Sequence, residues 1–143
     1  MKTVAELLRS KPDHNVFTVP PTASVYDAVK LMAEKNIGAL LIKDGEQLLG
    51  IFTERDYARK IVLTGRSSKE TPVRDIMTSS VIYVRPTHTN EECMALMTEN
   101  RMRHLPVMNE GKLVGLVSIG DLVKDIISEQ KFIIEQLVHY ITS

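Results

Sequence analysis

The sequence has little cysteine, few aromatic side chains and no excess charge of either sign. Its 143 residues include one cysteine, Cys93, and no tryptophan. A single cysteine excludes an internal disulfide and a thiolate cage for a metal, and this scarcity is typical of a reducing compartment. The 18 basic and 18 acidic residues cancel, whereas binding to nucleic acid or to an anionic membrane depends on excess positive charge.

The chain also lacks a long apolar run. No uncharged apolar stretch approaches the roughly 18 residues that a membrane-spanning helix needs. Apolar residues nevertheless make up 43% of the sequence, which is enough to build a core. We therefore expect a cytoplasmic globular protein that has neither a nucleic acid nor a membrane as its partner.

Two halves of the sequence repeat one pattern. A shift of 65 positions aligns residues 16–62 with residues 81–127 without a gap, and 12 of the 47 aligned positions are identical. Shared Val and Leu would be expected of any two β-rich stretches. Shared composition does not explain why a Pro-Thr pair, a glycine and an aspartate keep the same offsets in both copies. The sequence therefore contains an internal repeat.

Each copy predicts the same order of elements. Residues 16–19 and 81–84 predict a short first strand that ends near a proline. Capping boxes at Ser24 and Thr89 then begin a helix, and a hairpin and a second helix follow. A β-α-β-β-α unit of about 50 residues cannot cover both faces of its own sheet, so the two copies must pack on each other. We predict a mixed α/β fold of two repeats.

The flanks complete the domain organisation. We assign residues 1–63 to the first repeat with a lead-in helix, 64–72 to a polar linker, 73–128 to the second repeat and 129–143 to a helical extension. The extension has no counterpart in the first repeat, and its apolar residues are spaced for one stripe. That stripe either folds back on its own core or forms a dimer contact.

The most informative motif is Gly-x-x-[Thr/Ser]-x-x-Asp, which begins at Gly50 and again at Gly115. The hydroxyl and the carboxylate of each copy are spaced to cap the helix that follows. A cap leaves the glycine unexplained, because glycine weakens a strand unless something approaches its backbone closely. A ligand explains the whole set. One carboxylate can accept both hydroxyls of a ribose, and the N–H groups that begin a helix suit a phosphate.

The two motif copies, the two β-α-β-β-α units and the stretches 36–42 (NIGALLI) and 103–107 (RHLPV) resemble a tandem pair of cystathionine-β-synthase (CBS) domains, or Bateman module. The resemblance implies a regulatory, energy-sensing module with two clefts between pseudo-twofold-related repeats. Its ligand would contain adenosine: AMP, ADP, ATP, NAD or S-adenosylmethionine. The resemblance also implies a homodimer and a regulated partner, such as an enzyme or a transporter.

The same resemblance implies two unequal clefts. The first would combine one motif with basic residues of the opposite repeat, namely Thr53, Arg55, Asp56, Arg103 and His104. The second would combine Ser118, Gly120 and Asp121 with Gly38 and Ala39, and it lacks the matched cations. The remaining candidates for contact with the nucleoside are Ile37, Met102, Pro106, Thr18 and Tyr83.

Two other functions remain open at this point. One is a structural module that docks a partner or a second copy without a ligand, and clefts filled by Tyr83 or Met102 would favour it. The other is a small nucleotide-processing enzyme. It has the least support, because the four histidines are scattered without metal-ligand spacing and no set of nucleophile, base and acid stands out. We therefore predict no enzymatic activity and no metal site.

Overall fold

The elements follow one another in the order that the repeat predicts. The structure is a computed structural model, and it describes residues 2–12 and 14–142. The elements are α1 (Val4–Ser10), β1 (Thr18–Val19), α2 (Val25–Lys35), β2 (Ala39–Asp44), β3 (Gln47–Thr53), α3 (Glu54–Tyr57) continued by a π-helical turn (Ala58–Val62), a 3-10 turn (Val73–Asp75), α4 (Asn90–Asn100), β4 (His104–Asn109), β5 (Lys112–Ser118) and α5 (Ile119–Thr142).

The first repeat contains a three-stranded sheet in the order β1-β2-β3. β1 runs parallel to β2, and β2 pairs antiparallel with β3. The hairpin predicted from Asp44-Gly45 is confirmed, and Gly45 takes the positive φ of 60° that favours glycine in a tight turn. The buried side of β2 and β3 packs against α2 in a core built around Phe52.

The second repeat pairs β4 with β5 in the same antiparallel way. The prediction of a strand at 81–84 is wrong, because this segment forms only one bridge, between Val84 and Val107. In the first repeat, the N–H of Leu41 donates to the carbonyl of Phe17 (3.5 Å). The residue equivalent to Leu41 is Pro106, which has no N–H to donate. The parallel strand is therefore not extended in the second copy.

The lead-in segments are exchanged between the repeats. α1 precedes the first repeat but packs on the second, where Val4 and Leu7 lie in its core and the N–H of Val4 donates to the carbonyl of His88 (2.8 Å). The 3-10 turn does the reverse. The N–H of Val73 donates to the carbonyl of Ala23 in the first repeat (2.7 Å), and Val73 is buried there.

The two repeats also share an apolar interface. Leu41 and Ile51 form a buried cluster on the first sheet, and Leu113 and Leu116 of the second sheet pack against it. The cluster covers the side of each sheet that its own helices leave open. The prediction that the repeats pack on each other is therefore confirmed.

α5 is longer than the second helix of the first repeat, and its end is exposed. Its 24 residues make a helix of roughly 36 Å. Leu122 and Asp125 are buried against the second repeat, whereas every residue from Ile127 to Thr142 is exposed. The extension therefore does not fold back on its own core. None of the helices within the described residues, α5 included, combines the length and the hydropathy of a membrane span.

Candidate ligand cleft between the repeats

A cleft of about 540 Å³ opens between the two repeats beside the first motif. It contains all five predicted residues of the first cleft, Thr53, Arg55, Asp56, Arg103 and His104, together with the candidates Met102 and Gly38. The first repeat contributes the end of β3 and the beginning of α3, and the second repeat contributes the loop from α4 to β4. A ligand in this cleft would touch both repeats.

Asp56 forms the floor of the cleft on the side of the first repeat. Its Oδ2 accepts hydrogen bonds from the Thr53 N–H (3.0 Å) and the Thr53 hydroxyl (3.2 Å). Its Oδ1 accepts a bond from the Thr78 hydroxyl (3.3 Å) and lies 3.2 Å from the Lys60 ammonium. The Thr53 Oγ1 in turn accepts from the Asp56 N–H (3.2 Å). The predicted capping role of this motif is confirmed, and it fixes the carboxylate in place.

The motif glycine is explained by the protein's own backbone. A Cβ at Gly50 would lie 2.7 Å from Met77 Sδ and 2.9 Å from the Thr78 carbonyl oxygen. That segment is held by two hydrogen bonds between Ile51 and Thr78, of 3.0 and 2.9 Å. The interpretation that Gly50 makes room for a ligand is therefore wrong, because the lead-in of the second repeat occupies that space.

Arginines supply the positive charge of the cleft. Arg55 begins α3, and Arg101 and Arg103 lie on the loop that follows α4. Arg101 ends α4 with φ 50°, a left-handed conformation that is uncommon for a residue with a side chain. Its carbonyl accepts a long hydrogen bond from Arg55 Nη1 (3.5 Å). This turn directs the basic loop of one repeat toward the motif of the other.

His104 completes the wall but adds no charge at neutral pH. Burial lowers its pKa below the usual value near 6.5, although the carboxylates of Asp121 and Glu54 act in the opposite direction. The imidazole is therefore neutral at pH 7. The expectation that His104 is one of the cations facing a phosphate is not met, and arginines alone supply this charge.

The second motif forms the same cap, but a lysine also binds its carboxylate. Asp121 Oδ2 accepts from the Ser118 N–H (2.9 Å) and from the Lys11 ammonium (2.9 Å). The ammonium also donates to the Leu116 carbonyl (2.9 Å). Burial raises the pKa of Asp121, but the hydrogen bonds from Ser118 and Lys11 outweigh it and hold that pKa below its usual value. The matched positions Gly38, Ala39 and Gly120 carry no charge, and Lys11 is a cation that the alignment of the repeats did not predict.

The residue equivalent to Lys11 at the first cleft has a short side chain. A Cβ at Gly115 would lie 2.8 Å from Leu8, just as a Cβ at Gly50 would meet Met77. The two lead-in segments therefore occupy equivalent places, and Lys11, three residues after Leu8, corresponds to Ser80. Ser80 lines the first cleft. Asp56 instead pairs with Lys60 of the turn that continues α3 (3.2 Å), whereas Asp121 bonds to the lysine of the lead-in (2.9 Å).

The sequence comparisons agree with the repeats seen in the structure. The family model described as "CBS domain" matches twice, over residues 4–63 and 73–128. The chain belongs to the CBS domain family. Both CBS repeats therefore correspond to the two halves found by self-alignment, and the proposed resemblance is confirmed.

Similar proteins span nearly the whole chain. The CBS domain-containing protein CBSX3, mitochondrial, of Arabidopsis thaliana is 44% identical over 97% of this chain and 71% of its own length. A solved structure of a protein with CBS domains from Burkholderia ambifaria MC40-6 is 61% identical, covers 90% of this chain and 96% of its own, and has a TM-score of 0.87. CBSX2, solved in complex with AMP, is 28% identical, covers 91% and 99%, and has a TM-score of 0.76.

Several predicted site residues lie outside the lining of the first cleft. Ala39 and Pro106 are buried within β2 and β4. Ile37 lines a smaller groove of about 270 Å³ beside α2, and Tyr83 lines a separate cavity of about 660 Å³. Thr18 pairs with Leu41 in the first CBS sheet. Of the second-motif residues, Ser118 ends β5, and Gly120 and Asp121 lie in the first turn of α5.

The lead-in of the second CBS repeat also contributes to the cleft, which was not predicted from the sequence. Thr78 and Ser80 line the cleft, as does Glu54. An apolar pattern common to residues 4–8 and 73–77 is visible in the sequence. This pattern would have predicted the contribution of these residues only together with the knowledge that each lead-in packs on the opposite repeat.

Proposed function

We propose that this chain is a regulatory module that binds an adenosine-containing ligand in the cleft between Asp56 and Arg103. The observation that carries the proposal is the convergence, in one cavity of about 540 Å³, of a fixed carboxylate from one repeat and arginines from the other. Small-molecule sites are commonly about 300–1,000 Å³. A mononucleotide is a ligand of suitable size and charge pattern.

The proposed binding mode assigns one part of the ligand to each group. Asp56 Oδ1, which accepts a long bond of 3.3 Å from Thr78 and lies 3.2 Å from the Lys60 ammonium, would accept the ribose hydroxyls. Arg55 and Arg103 would bind the phosphate, because guanidinium groups pair with phosphate oxygens in a bidentate way. Met102 and Ile82, which line the same cleft, would provide the apolar wall for adenine.

AMP is the first ligand that we propose. The relative CBSX2 was solved with AMP, and its structure covers most of this chain. ADP, ATP, NAD and S-adenosylmethionine carry the same adenosine half and remain candidates. We propose binding without turnover, because the cleft combines a capping carboxylate and arginines with a neutral imidazole and offers no activated nucleophile.

A bound ligand would act as a bridge between the repeats. Since both repeats contribute to the lining, occupancy would bias how they pack, and a partner could respond to that change. We propose a homodimer and a regulated enzyme or transporter as the partners. We also keep the cytoplasm as the proposed location, although the name of the Arabidopsis relative states an organelle.

A structural docking module without a ligand is the second candidate. The exposed apolar side chains of α5 favour it. Against it, Met102 lines the cleft without filling it, and Tyr83 lies in a different cavity. These positions favour ligand binding over a purely structural role.

Calorimetry with AMP, followed by the other four ligands, tests the proposed function. We expect Asp56→Ala and Arg103→Ala to weaken AMP roughly 10- to 100-fold, the usual cost of one charge-assisted hydrogen bond. Asp121→Ala is the matched control, because it removes the same kind of cap from the other motif. Absence of heat and of a melting shift with all five ligands at millimolar concentration would refute ligand binding. An equal loss of AMP affinity in the Asp56, Arg103 and Asp121 variants would contradict the choice of cleft.

A further inference from the structure

The last four turns of α5 extend beyond the folded repeats. Residues from Ile127 to Thr142 are all exposed, and this exposure includes large apolar side chains such as Ile134 (60%), Leu137 (56%) and Ile141 (78%). An isolated helix of about 15 residues is only marginally stable in water. A segment of this kind needs a partner surface.

The apolar residues of α5 follow a heptad pattern. Spacings alternate between four and three residues along one seam, which consists of Val123, Ile127, Gln130, Ile134, Leu137 and Ile141. In heptad terms, isoleucine occupies each a position from 127 onward, and Val123, Gln130 and Leu137 occupy d. β-branched residues at a with leucine at d favour a two-stranded parallel coiled coil.

We propose that two copies of this chain pair along α5 as a parallel, in-register, two-stranded coiled coil. Gln130 is the one polar residue of the seam. In-register parallel pairing places the two Gln130 amides opposite each other, so that each amide has a hydrogen-bonding partner. It also keeps each helix clear of the folded repeats of the other copy. Antiparallel pairing centred on Gln130 would bring Ile141 against Ile119. That residue already packs against the core of the second repeat.

The area available is sufficient for a stable pair. Eight apolar side chains on this side of α5 are 44 to 81% exposed, counting Val123, Ile127 and the six large ones from Ile133 to Ile141. If each buries on the order of 75 Å², the pair covers roughly 600 Å² per copy and about 1,200 Å² in total. That total exceeds the roughly 1,000 Å² that marks a specific interface. The pairing does not depend on the ligand cleft.

Light scattering of the full chain tests the pairing. We expect a mass near twice 16.1 kDa for the wild type. Ile134→Glu should give the monomer, because two carboxylates would face each other in the seam. Glu135→Ala, on the opposite side of the helix, is the matched control and should keep the dimer. A monomeric wild type, a trimer or tetramer, or an Ile134→Glu variant of unchanged mass would overturn the proposal. A melting curve that retains its transition shows that the repeats of the variant remain folded.

Cysteine cross-linking tests the register. We expect Gln130→Cys to form a disulfide-linked dimer under mild oxidation, because the seam would place the two thiols opposite each other. Gln136→Cys, on the outer side of the helix, should stay largely unlinked, and native Cys93 is buried. Failure of Gln130→Cys to cross-link, or equal cross-linking of both variants, would contradict parallel in-register pairing. Loss of AMP binding would leave both results unaffected.

Discussion

At the scale of single residues, the two motif glycines mark places where one segment of the chain crosses another. Gly50 lies beneath Met77 and Thr78, and Gly115 lies beneath Leu8. A strand glycine preceding a capping box resembles a ligand site when only the sequence is read. The structure assigns that close approach to the lead-in segments instead, and the candidate ligand cleft opens beside the capping carboxylate.

Gly50→Ala should destabilise the protein through this crossing. The added methyl group would meet the Thr78 carbonyl at 2.9 Å, and that carbonyl is held by the N–H of Ile51. We expect a loss of about 1–3 kcal/mol, the usual cost of overpacking. Gly120→Ala is the control, because its nearest neighbour is Ser118 Oγ at 3.6 Å. Urea unfolding measures both variants, and a Gly50→Ala variant as stable as the wild type would contradict this explanation.

At the scale of elements, local patterns predicted most of the structure. The capping boxes at Thr53 and Thr89 are present, as is the Asp44-Gly45 turn, because each depends on residues within four positions of one another. At Ser24 only half of the predicted box forms, the bond from the Asp27 N–H to the Ser24 hydroxyl. Two features depend on distant partners and were not predicted correctly. The strand at 81–84 is shortened because its partner carries Pro106, and Lys11 lies 110 positions from the aspartate that it binds.

For the candidate site too, features within the aligned repeats were predicted and features outside them were not. The motif and the basic loop were placed in one cleft correctly, since both come from aligned parts of the repeats. Thr78 and Ser80 lie outside that alignment and were missed. Ala39 and Pro106 are buried within β2 and β4 and therefore do not line the cleft. A strand that is buried on both sides lacks the alternation of polar and apolar residues that would show which side chains face the cleft.

Lys11 connects the end of α1 to the beginning of α5, and Lys11→Met tests this connection. Asp121 would lose an ammonium at 2.9 Å, so we expect a loss of about 1 kcal/mol at pH 7, because the pair is partly exposed. The pKa of Asp121 is depressed from 3.8 in the folded protein. Its contribution is therefore present above pH 4 and disappears as pH falls through the folded pKa.

Urea unfolding at pH 7 and near pH 3 measures this dependence. The difference in stability between the wild type and Lys11→Met should shrink as the pH falls toward the depressed pKa of Asp121, because protonation of this carboxylate removes the ion pair of the wild type. Arg9→Met is the control, since Arg9 is exposed on the same helix. A difference that stays the same at both pH values would show that packing, and not the ion pair, explains the effect.

At the scale of the whole molecule, the exchanged lead-ins make the two repeats depend on each other. α1 supplies Leu7 to the core of the second repeat, and the segment after the linker supplies Ile76 to the core of the first. The shared cluster around Leu41 adds a third connection. A ligand between the repeats would therefore bind a unit whose halves are already joined by the chain itself.

Leu7→Ala tests whether this unit unfolds as one. Leu7 is 4% exposed, so we expect a loss of about 2–4 kcal/mol. Because the repeats share cores, the variant should still unfold in a single transition, and hydrogen exchange should quicken in β2 and β3 of the first repeat as well as in β4 and β5. Leu63→Ala, at an 80% exposed position, should change neither. If hydrogen exchange became faster in the second repeat alone, the swapped lead-in segments would connect the repeats without coupling their stability.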